Sequence, residues 1–518
     1  MSWIKQYHRS ILRWLLLLSI LGLAAAPSLP LIVTSIASDS SKPFWTDGFA
    51  RSIQSSLWIG VGVSTISLVV GFPLGLLVSL YRFPARQILI FYQGLPLLLP
   101  SFLLCIGWSN LASANWLSWI PMPNGFAGCV TVLGLQAVPL TFFATWAACR
   151  NLTASQIDAV RLLGGENTVL KQSARACAPV AILAALLGGI LSLSDPGAPL
   201  IFGCRSAAVE ILTSFSAMFD YELAGRQCLA LAGLIFVLTA PVLLFGLSRL
   251  SSAVLARQTR PAIPSSHRTY GRLAFFGLLV LLAVGIVIPT IGLCLPAAQN
   301  PQVERAMAKA SDTVGTTILF TAGAAFVAVV LATVIATTAS SKYRMRLIAL
   351  AVLLSLLAMP PALAAIGVTQ VATQAPLQFD WLLRSRITVM LVLGLRFLPV
   401  ATVTMMRAIG SLSPTWTEAA RLHGVTSHRF FFGVTLPNVA PAIIVSALLV
   451  MVLAASDITT THLLQPPGAQ SLPVAIFTVM ANSPEGLVAS LCLLYLLLVI
   501  LLLSITSLIP RLWKRNPA

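Results

Sequence analysis

Residues 413–437 read Ser-Pro-Thr-Trp-Thr-Glu-Ala-Ala-Arg-Leu-His-Gly-Val-Thr-Ser-His-Arg-Phe-Phe-Phe-Gly-Val-Thr-Leu-Pro. Ser413 can cap a helix whose first residue is Pro414. Gly424 can end this helix, because the residue after a helix end often has a left-handed backbone. A second short helix can follow and run to about Gly433, before the final Leu-Pro pair. The stretch therefore predicts a helix, a tight turn and another helix.

Part of this stretch occurs twice in the chain. Residues 158–164, Asp-Ala-Val-Arg-Leu-Leu-Gly, are repeated as residues 418–424, Glu-Ala-Ala-Arg-Leu-His-Gly, at an offset of 260. Residues 133–139 recur as residues 393–399 at the same offset. A repeat about half the chain long predicts two parallel halves that face each other across a central path.

The composition predicts an all-α membrane protein. The 518 residues are 58% hydrophobic and 9% charged, with a mean hydropathy of +0.92, whereas soluble domains carry roughly 25% charged residues. A spanning helix needs about 20 apolar residues. The sequence contains about twelve such segments, at residues 11–36, 56–81, 88–110, 126–149, 178–201, 227–250, 273–296, 314–339, 347–371, 387–406, 438–456 and 486–509.

The formal net charge of +18 is unevenly distributed. If the N-terminus is cytoplasmic and the spans alternate, cytoplasmic segments hold 23 of the 32 Lys and Arg residues and outer segments hold 8. This bias is typical of a multi-pass protein with both termini in the cytoplasm. We therefore interpret the charge as topology in a lipid bilayer and expect no nucleic-acid partner.

The spans divide into two pseudo-symmetric halves of six. We predict a first half at residues 1–250, a polar and basic cytoplasmic linker at 251–272 and a second half at 273–518. The long cytoplasmic loops are residues 150–177 and 407–437, and each lies between the fourth and fifth spans of its half.

The second loop resembles a known family motif. The spacing of Glu418-Ala419-Ala420, Gly424 and the final Leu436-Pro437 is similar to the EAA motif of bacterial ABC importer permeases. In that family the loop forms a coupling helix that docks on the ATP-binding subunit. The resemblance implies a type I permease fold in the bacterial inner membrane, two copies of an ATP-binding subunit and an extracytoplasmic solute-binding protein.

The first loop is a degenerate copy. Asp158, Ala159 and Gly164 keep the charge and the turn, whereas Ala and Cys stand where the final Leu-Pro pair would align. Thr153 and Gln156 can form a capping box. We still expect this loop to dock. The fused two-half chain resembles the ferric iron and thiamine importer permeases, which implies a small solute such as ferric iron, thiamine or a polyamine.

Three ionisable residues are candidates for the path. Asp195 and Asp457 occupy repeat-matched positions at the outer ends of the fifth and eleventh spans, and Arg396 lies within a span opposite Gln136 of the first half. Ionisable residues near the bilayer are costly and often functional. The two carboxylates could attract a cation, or they could be span-end residues that reach outer water. Arg396 could contact substrate or bond backbone carbonyls.

Other function classes are less compatible with the sequence. A phosphate-binding loop of the GxxxxGK[ST] type is absent, since no Gly-Lys pair occurs, so ATP hydrolysis is expected in a partner and the chain is not predicted to be an enzyme. We predict no cofactor, metal site or disulfide, because the eight cysteines show no CxxC spacing. An ion-coupled secondary transporter remains the alternative, although it would not need two such loops.

Overall fold

The computed structural model describes residues 2–37, 45–113, 124–255, 264–339, 342–374 and 380–515. These residues form helices, and the β structure among them is one isolated bridge between Tyr81 and Ser265. Ten helices are long and apolar enough to cross a membrane, and two bent helix pairs raise this number to twelve. The prediction of an all-α membrane protein with about twelve spans is confirmed.

The described helices of the first half cover the predicted spans, but several begin earlier, and α9 begins at Ala154 rather than near residue 178. In chain order they are α1 (Ser2–Ala25), α2 (Leu29–Ala37), α3 (Asp47–Ile66), α4 (Phe72–Leu80), α5 (Arg86–Tyr92), α6 (Leu95–Leu98), α7 (Ser101–Ala112), α8 (Gly125–Cys149), α9 (Ala154–Ser192), α10 (Gly197–Ile201), α11 (Ala207–Ser216) and α12 (Tyr221–Leu255).

The described helices of the second half follow a similar order. They are α13 (Arg268–Leu282), α14 (Ile288–Gln299), α15 (Val303–Ala339), α16 (Tyr343–Ala358), α17 (Pro361–Gln374), α18 (Asp380–Leu383), α19 (Arg386–Ser411), α20 (Pro414–Leu422), α21 (Ser427–Phe430), α22 (Leu436–Ser456), α23 (Ile458–Leu464), α24 (Leu472–Val479) and α25 (Glu485–Arg515).

Two predicted spans are broken helices rather than continuous ones. The third span bends by 94° between α6 and α7, and the ninth bends by 83° between α16 and α17. The breaks fall at Pro100 and Pro360, which are 260 residues apart. Proline has no N–H and its ring clashes with the preceding helical turn, so an α-helix cannot continue through these positions unchanged.

The predicted linker is shorter than its sequence boundaries. Helix α12 continues to Leu255 and α13 begins at Arg268, so both ends of residues 251–272 are helical. Residues 256–263 lie outside the described part. The backbone of Ser265 pairs with the chain at the end of α4. Its N–H donates to the Leu80 carbonyl at 2.7 Å, and its carbonyl accepts the backbone N–H of Arg82 at 2.8 Å.

The first span of each half packs against the other half. Helices α1 and α2 contact α15, α16 and α17, while α13 and α14 contact α4, α5 and α7. Leu17 of α1 is fully buried in a cluster with Phe320 and Leu393 of the second half. Leu293 of α14 is fully buried in a cluster with Phe102 of α7. Burial of these apolar side chains between the halves stabilises one joined structure.

The first span of each half, which packs on the other half, crosses a helix of that other half at a glycine. A methyl group on Gly107 of α7 would overlap the carbonyl oxygen of Pro289, and one on Gly367 of α17 would overlap that of Pro27. The two glycines are 260 residues apart and the two prolines 262, so the same backbone contact occurs twice. Only a residue without a Cβ permits this approach.

We expect Gly107→Ala to destabilise the protein by roughly 1–3 kcal/mol, because overpacking at a backbone contact forces the crossing helices apart. Gly367→Ala should have a similar effect. Thermal unfolding of the purified chain in detergent measures both. Gly233→Ala on α12 is the matched control, since a Cβ there meets no atom within 4 Å. Equal melting temperatures for Gly107→Ala and the control would contradict the tight crossing.

Candidate functional site

A cavity of about 200 Å³ lies between the two halves, and we call it the chamber. It is bounded by the start of α7, by α8 and α19, and by the segments that follow α9 and α22. The three sequence candidates for the path all line it, together with further polar side chains. The polar lining includes Gln136, Ser194, Asp195, Arg396, Asp457 and His462.

Two chamber residues bond the carbonyls that the broken spans release. Gln136 of α8 donates from Nε2 to the Leu99 carbonyl at 2.7 Å. Arg396 of α19 donates from Nη1 to the Met359 carbonyl at 3.2 Å. Both donors and both acceptors are 260 residues apart, so this is one contact made twice. The prediction that Arg396 could bond backbone within the bundle agrees with this geometry.

Asp457 is held inside the second half. Its Oδ1 accepts the N–H of Thr460 at 3.0 Å, so it caps α23. Its Oδ2 accepts the Thr460 hydroxyl at 2.9 Å and lies 2.6 Å from Nε of Arg396. The Asp457 side chain is only 5% exposed. The carboxylate therefore lies within the protein, paired with a guanidinium, rather than in outer water.

Asp195 is bonded through one oxygen. Its Oδ1 accepts the Ser101 hydroxyl at 2.8 Å, and also the N–H groups of Gly197 at 2.8 Å and Ala198 at 3.2 Å. All three donors therefore bond the same oxygen of this carboxyl group. No donor from the described residues reaches its Oδ2. The chain breaks its helix around Asp195, since α9 ends at Ser192 and α10 begins at Gly197, directly after Pro196.

A second cavity of about 880 Å³ lies further along α8 and α19. On α8, Leu140 of this cavity follows Gln136 of the chamber by about one turn, and on α19 Val400 follows Arg396 in the same way. Its lining is mostly apolar, with Arg150 at the end nearer the first loop. The two cavities share no lining residue, and both lie between α8 and α19.

The second loop has the predicted turn. Helix α20 begins at Pro414, and Gly424 has a left-handed backbone with φ of +67°. The N–H of Val425 donates to the Ala420 carbonyl at 2.8 Å, which is the outer bond of a Schellman helix end. Glu418 lies on the exposed side of α20. The helix, turn and helix predicted from the sequence are confirmed.

The second helix of this loop is shorter than predicted. Helix α21 ends at Phe430 rather than near Gly433, and a wide π-type turn, Phe431–Thr435, leads directly into α22. Pro437 lies in the first turn of α22. A regular helix would bring its ring against the Gly433 carbonyl, four residues earlier, and the wide turn relieves this clash.

The first loop turns at a different glycine from the one predicted. Thr153 and Gln156 form the predicted capping box. The left-handed residue is Gly165, with φ of +69°, not Gly164. Gly164 instead packs against a neighbouring side chain, and a methyl group there would overlap Thr168. The tandem glycines offered two possible positions for the turn, and local packing selects the second.

A polar network holds the first loop in place. Arg161 contacts both Asp158 and Glu166 at 2.7 Å. Glu166 also accepts the Tyr81 hydroxyl at 3.1 Å and the Ser265 hydroxyl at 3.4 Å. Burial and then the charge of Glu166 raise the pKa of the Tyr81 hydroxyl. The network joins the loop to the end of α4 and to the linker.

Both loops expose large apolar side chains that the sequence reasoning did not single out. Leu162 and Leu163 are 89% and 88% exposed, and Leu422 is 88% exposed. Leu162 and Leu422 are repeat-matched, and each lies two residues before a repeat-matched glycine, Gly164 or Gly424. The sequence signal that could have identified them is an apolar residue within an otherwise polar loop. Such exposure marks a surface that a partner protein can cover.

Candidate metal ligands and thiols add no further site. In the described ranges, no group of three or more His, Cys, Asp or Glu residues could hold a metal ion. All eight cysteines are free. The Sγ atoms of Cys149 and Cys177 lie 2.8 Å apart, a proximity that the sequence spacing did not indicate.

Comparison with known proteins bears on the second half of the chain. The family described as "Binding-protein-dependent transport system inner membrane component" matches residues 325–515. No curated protein and no solved structure matched the chain. Together with the apolar helices, the family match supports a multi-pass inner-membrane component of an ABC importer permease.

The contact between Arg396 and Asp457 should contribute measurably to stability. We expect a double-mutant cycle of Arg396→Met and Asp457→Asn to give a coupling energy of roughly 1–3 kcal/mol, because the pair is largely removed from solvent. Thermal unfolding in detergent provides the data. The i,i+4 pair Glu222 and Arg226, 3.3 Å apart on α12 with the Glu222 side chain 51% exposed, is the control and should give about 0.5 kcal/mol or less. Equal coupling in both cycles would refute a special role for the chamber pair.

Proposed function

We propose that the chain is the permease subunit of an ABC importer, with the chamber in its translocation path and both loops coupling it to a separate ATPase subunit. The observation that carries the proposal is the pair of similar loops. Each has a left-handed glycine, Gly165 or Gly424, and each exposes an apolar side chain, Leu162 or Leu422, at the same repeat position. The family match over residues 325–515 supports the same class.

The charge distribution supports the orientation. The excess of Lys and Arg on one side supports an orientation with both termini and both loops in the cytoplasm. Two copies of an ATP-binding subunit would then bind the loops, one to each half. An extracytoplasmic solute-binding protein would deliver cargo to the opposite face. The halves at residues 1–250 and 273–518 line the two sides of one translocation path.

A single helix connects each loop with a chamber carboxylate. From Gly165, helix α9 continues to Ser192, three residues before Asp195, and this part is about 40 Å long. Helix α22 begins at Leu436 and ends at Ser456, immediately before Asp457. Rigid helices transmit displacement along their length, so closure of the ATPase subunits would move both carboxylates. This provides a mechanical route from ATP hydrolysis to the path.

The chamber limits the cargo to a small solute. Ferric iron, thiamine and a polyamine are the candidates that the resemblance implies. The two chamber carboxylates favour a cation over an anion, because like charges in a poorly solvated site repel strongly.

Partner capture tests the proposal directly. Purification of the chain from its native membrane in mild detergent should recover a stoichiometric ATP-binding subunit, because the chain contains no phosphate-binding loop of its own. Quantitative gel analysis measures the ratio, and an ATPase assay measures activity. A chain that transports solute without any ATP-binding partner would instead favour the ion-coupled secondary transporter.

Variants of the second loop test coupling. Gly424→Ala should cost roughly 1–2 kcal/mol of turn stability, because a non-glycine residue is strained at its positive φ. Together with Glu418→Lys, it should lower both transport and transport-stimulated ATP hydrolysis while membrane insertion persists. Gly433→Ala is the matched control, since this glycine also lies in the loop and has open space around it, without a positive φ. Wild-type transport by the Gly424 and Glu418 double variant would exclude the coupling role.

A further inference from the structure

The chamber is symmetric in its backbone contacts and asymmetric in its charge. Gln136 and Arg396 occupy matched positions, and each bonds the carbonyl at the break of a span. Only Arg396 is charged. The matched carboxylates therefore differ, because Asp457 has a guanidinium beside it and Asp195 has a neutral amide at the corresponding position of its half.

This asymmetry leaves one carboxylate oxygen available. Asp457 uses both oxygens, for Thr460 and Arg396, whereas Asp195 uses Oδ1 alone. Two carboxyl groups and one guanidinium line the chamber, so one acid has no basic side chain beside it. A carboxyl group at a cavity without a matching cation favours a ligand that supplies one.

A second polar group points to a ligand independently. Ser194 lines the chamber, is only 8% exposed, and its Oγ has no hydrogen-bond partner. Nδ1 of His462 is likewise buried without a partner. Buried polar atoms are nearly always paired in folded proteins. A ligand that donates hydrogen bonds would satisfy Ser194 and Asp195 together.

We propose that Gln136 determines the charge specificity of the chamber, and that a cationic group of the cargo binds beside Asp195 as the Arg396 guanidinium binds beside Asp457. The proposal rests on the function proposed above and names its substrate class. The cargo carries a compact cationic group with N–H or water donors, of the size of a guanidinium, an ammonium or a hydrated metal ion. A volume of about 200 Å³ corresponds to roughly six or seven water molecules, which fits such a group.

Binding of methylguanidinium to the purified full chain tests the proposal. Methylguanidinium chloride should raise the melting temperature of the wild-type chain in detergent relative to sodium chloride at equal ionic strength, because a ligand that binds the folded state stabilises it. Asp195→Asn should require at least about tenfold more ligand for the same shift. Gln136→Arg should also weaken binding at least about tenfold, since its own guanidinium would pair with Asp195.

A relocated charge controls for misfolding. In the double variant Gln136→Arg, Arg396→Gln the unpaired acid is Asp457 and the chamber keeps the same number of carboxyl and guanidinium groups, so the methylguanidinium shift should return. Asp312→Asn, an exposed carboxylate on α15 outside the chamber, should behave like the wild type. No shift in the wild type, or equal shifts in the wild type and Asp195→Asn, would overturn the proposal. Either result would leave the ATPase partnership intact, because that is measured separately by capture of the ATP-binding subunit.

Discussion

The structure depends on two backbone carbonyls that must find donors at membrane depth. Pro100 and Pro360 break their spans, so the Leu99 and Met359 carbonyls lose their regular helical partners. An unpaired polar group in the hydrocarbon region costs several kcal/mol, and irregular backbone persists there only where protein or a water-filled cavity covers it. Gln and Arg side chains from α8 and α19 supply the missing bonds. This requirement places polar side chains at the centre of an apolar bundle.

The first span of each half also contacts the broken span of the other half. Gly107 lies six residues beyond the start of α7, and Gly367 lies at the corresponding position of α17. At each glycine the backbone contacts a proline carbonyl in the first span of the other half. The second part of each broken span is thus clamped by the opposite half. The chamber is fixed from both sides, and neither half could form it alone.

The sequence predicted the helices and turns better than it predicted which helices pack against each other. Hydropathy and charge gave twelve spans, and the repeated loops gave a turn that Gly424 confirms. The matched prolines at 100 and 360 could have revealed the broken spans, because their offset equals that of the loops. Periodicity could not show that α1 and α14 pack on the opposite halves, since an apolar face indicates burial without identifying its neighbour. Nor could it choose between Gly164 and Gly165, because that choice depends on contact with Thr168.

The repeat is least symmetric where the loops meet the rest of the chain. Glu166 ties the first loop to Tyr81 and to Ser265 of the linker, whereas its repeat-matched residue is Thr426, which has no carboxylate to form such a network. The first loop is therefore attached to the body of the protein by charged hydrogen bonds, while α20 presents Glu418 to solvent. The halves also differ in the chamber. There the second half carries the guanidinium, and the first half carries the unpaired carboxyl oxygen. In a fused chain the two halves can diverge in sequence while they share one frame. The frame is kept by contacts that occur twice, and a neutral amide or a guanidinium can supply the donor at a broken span, so the charge can differ while the contact stays.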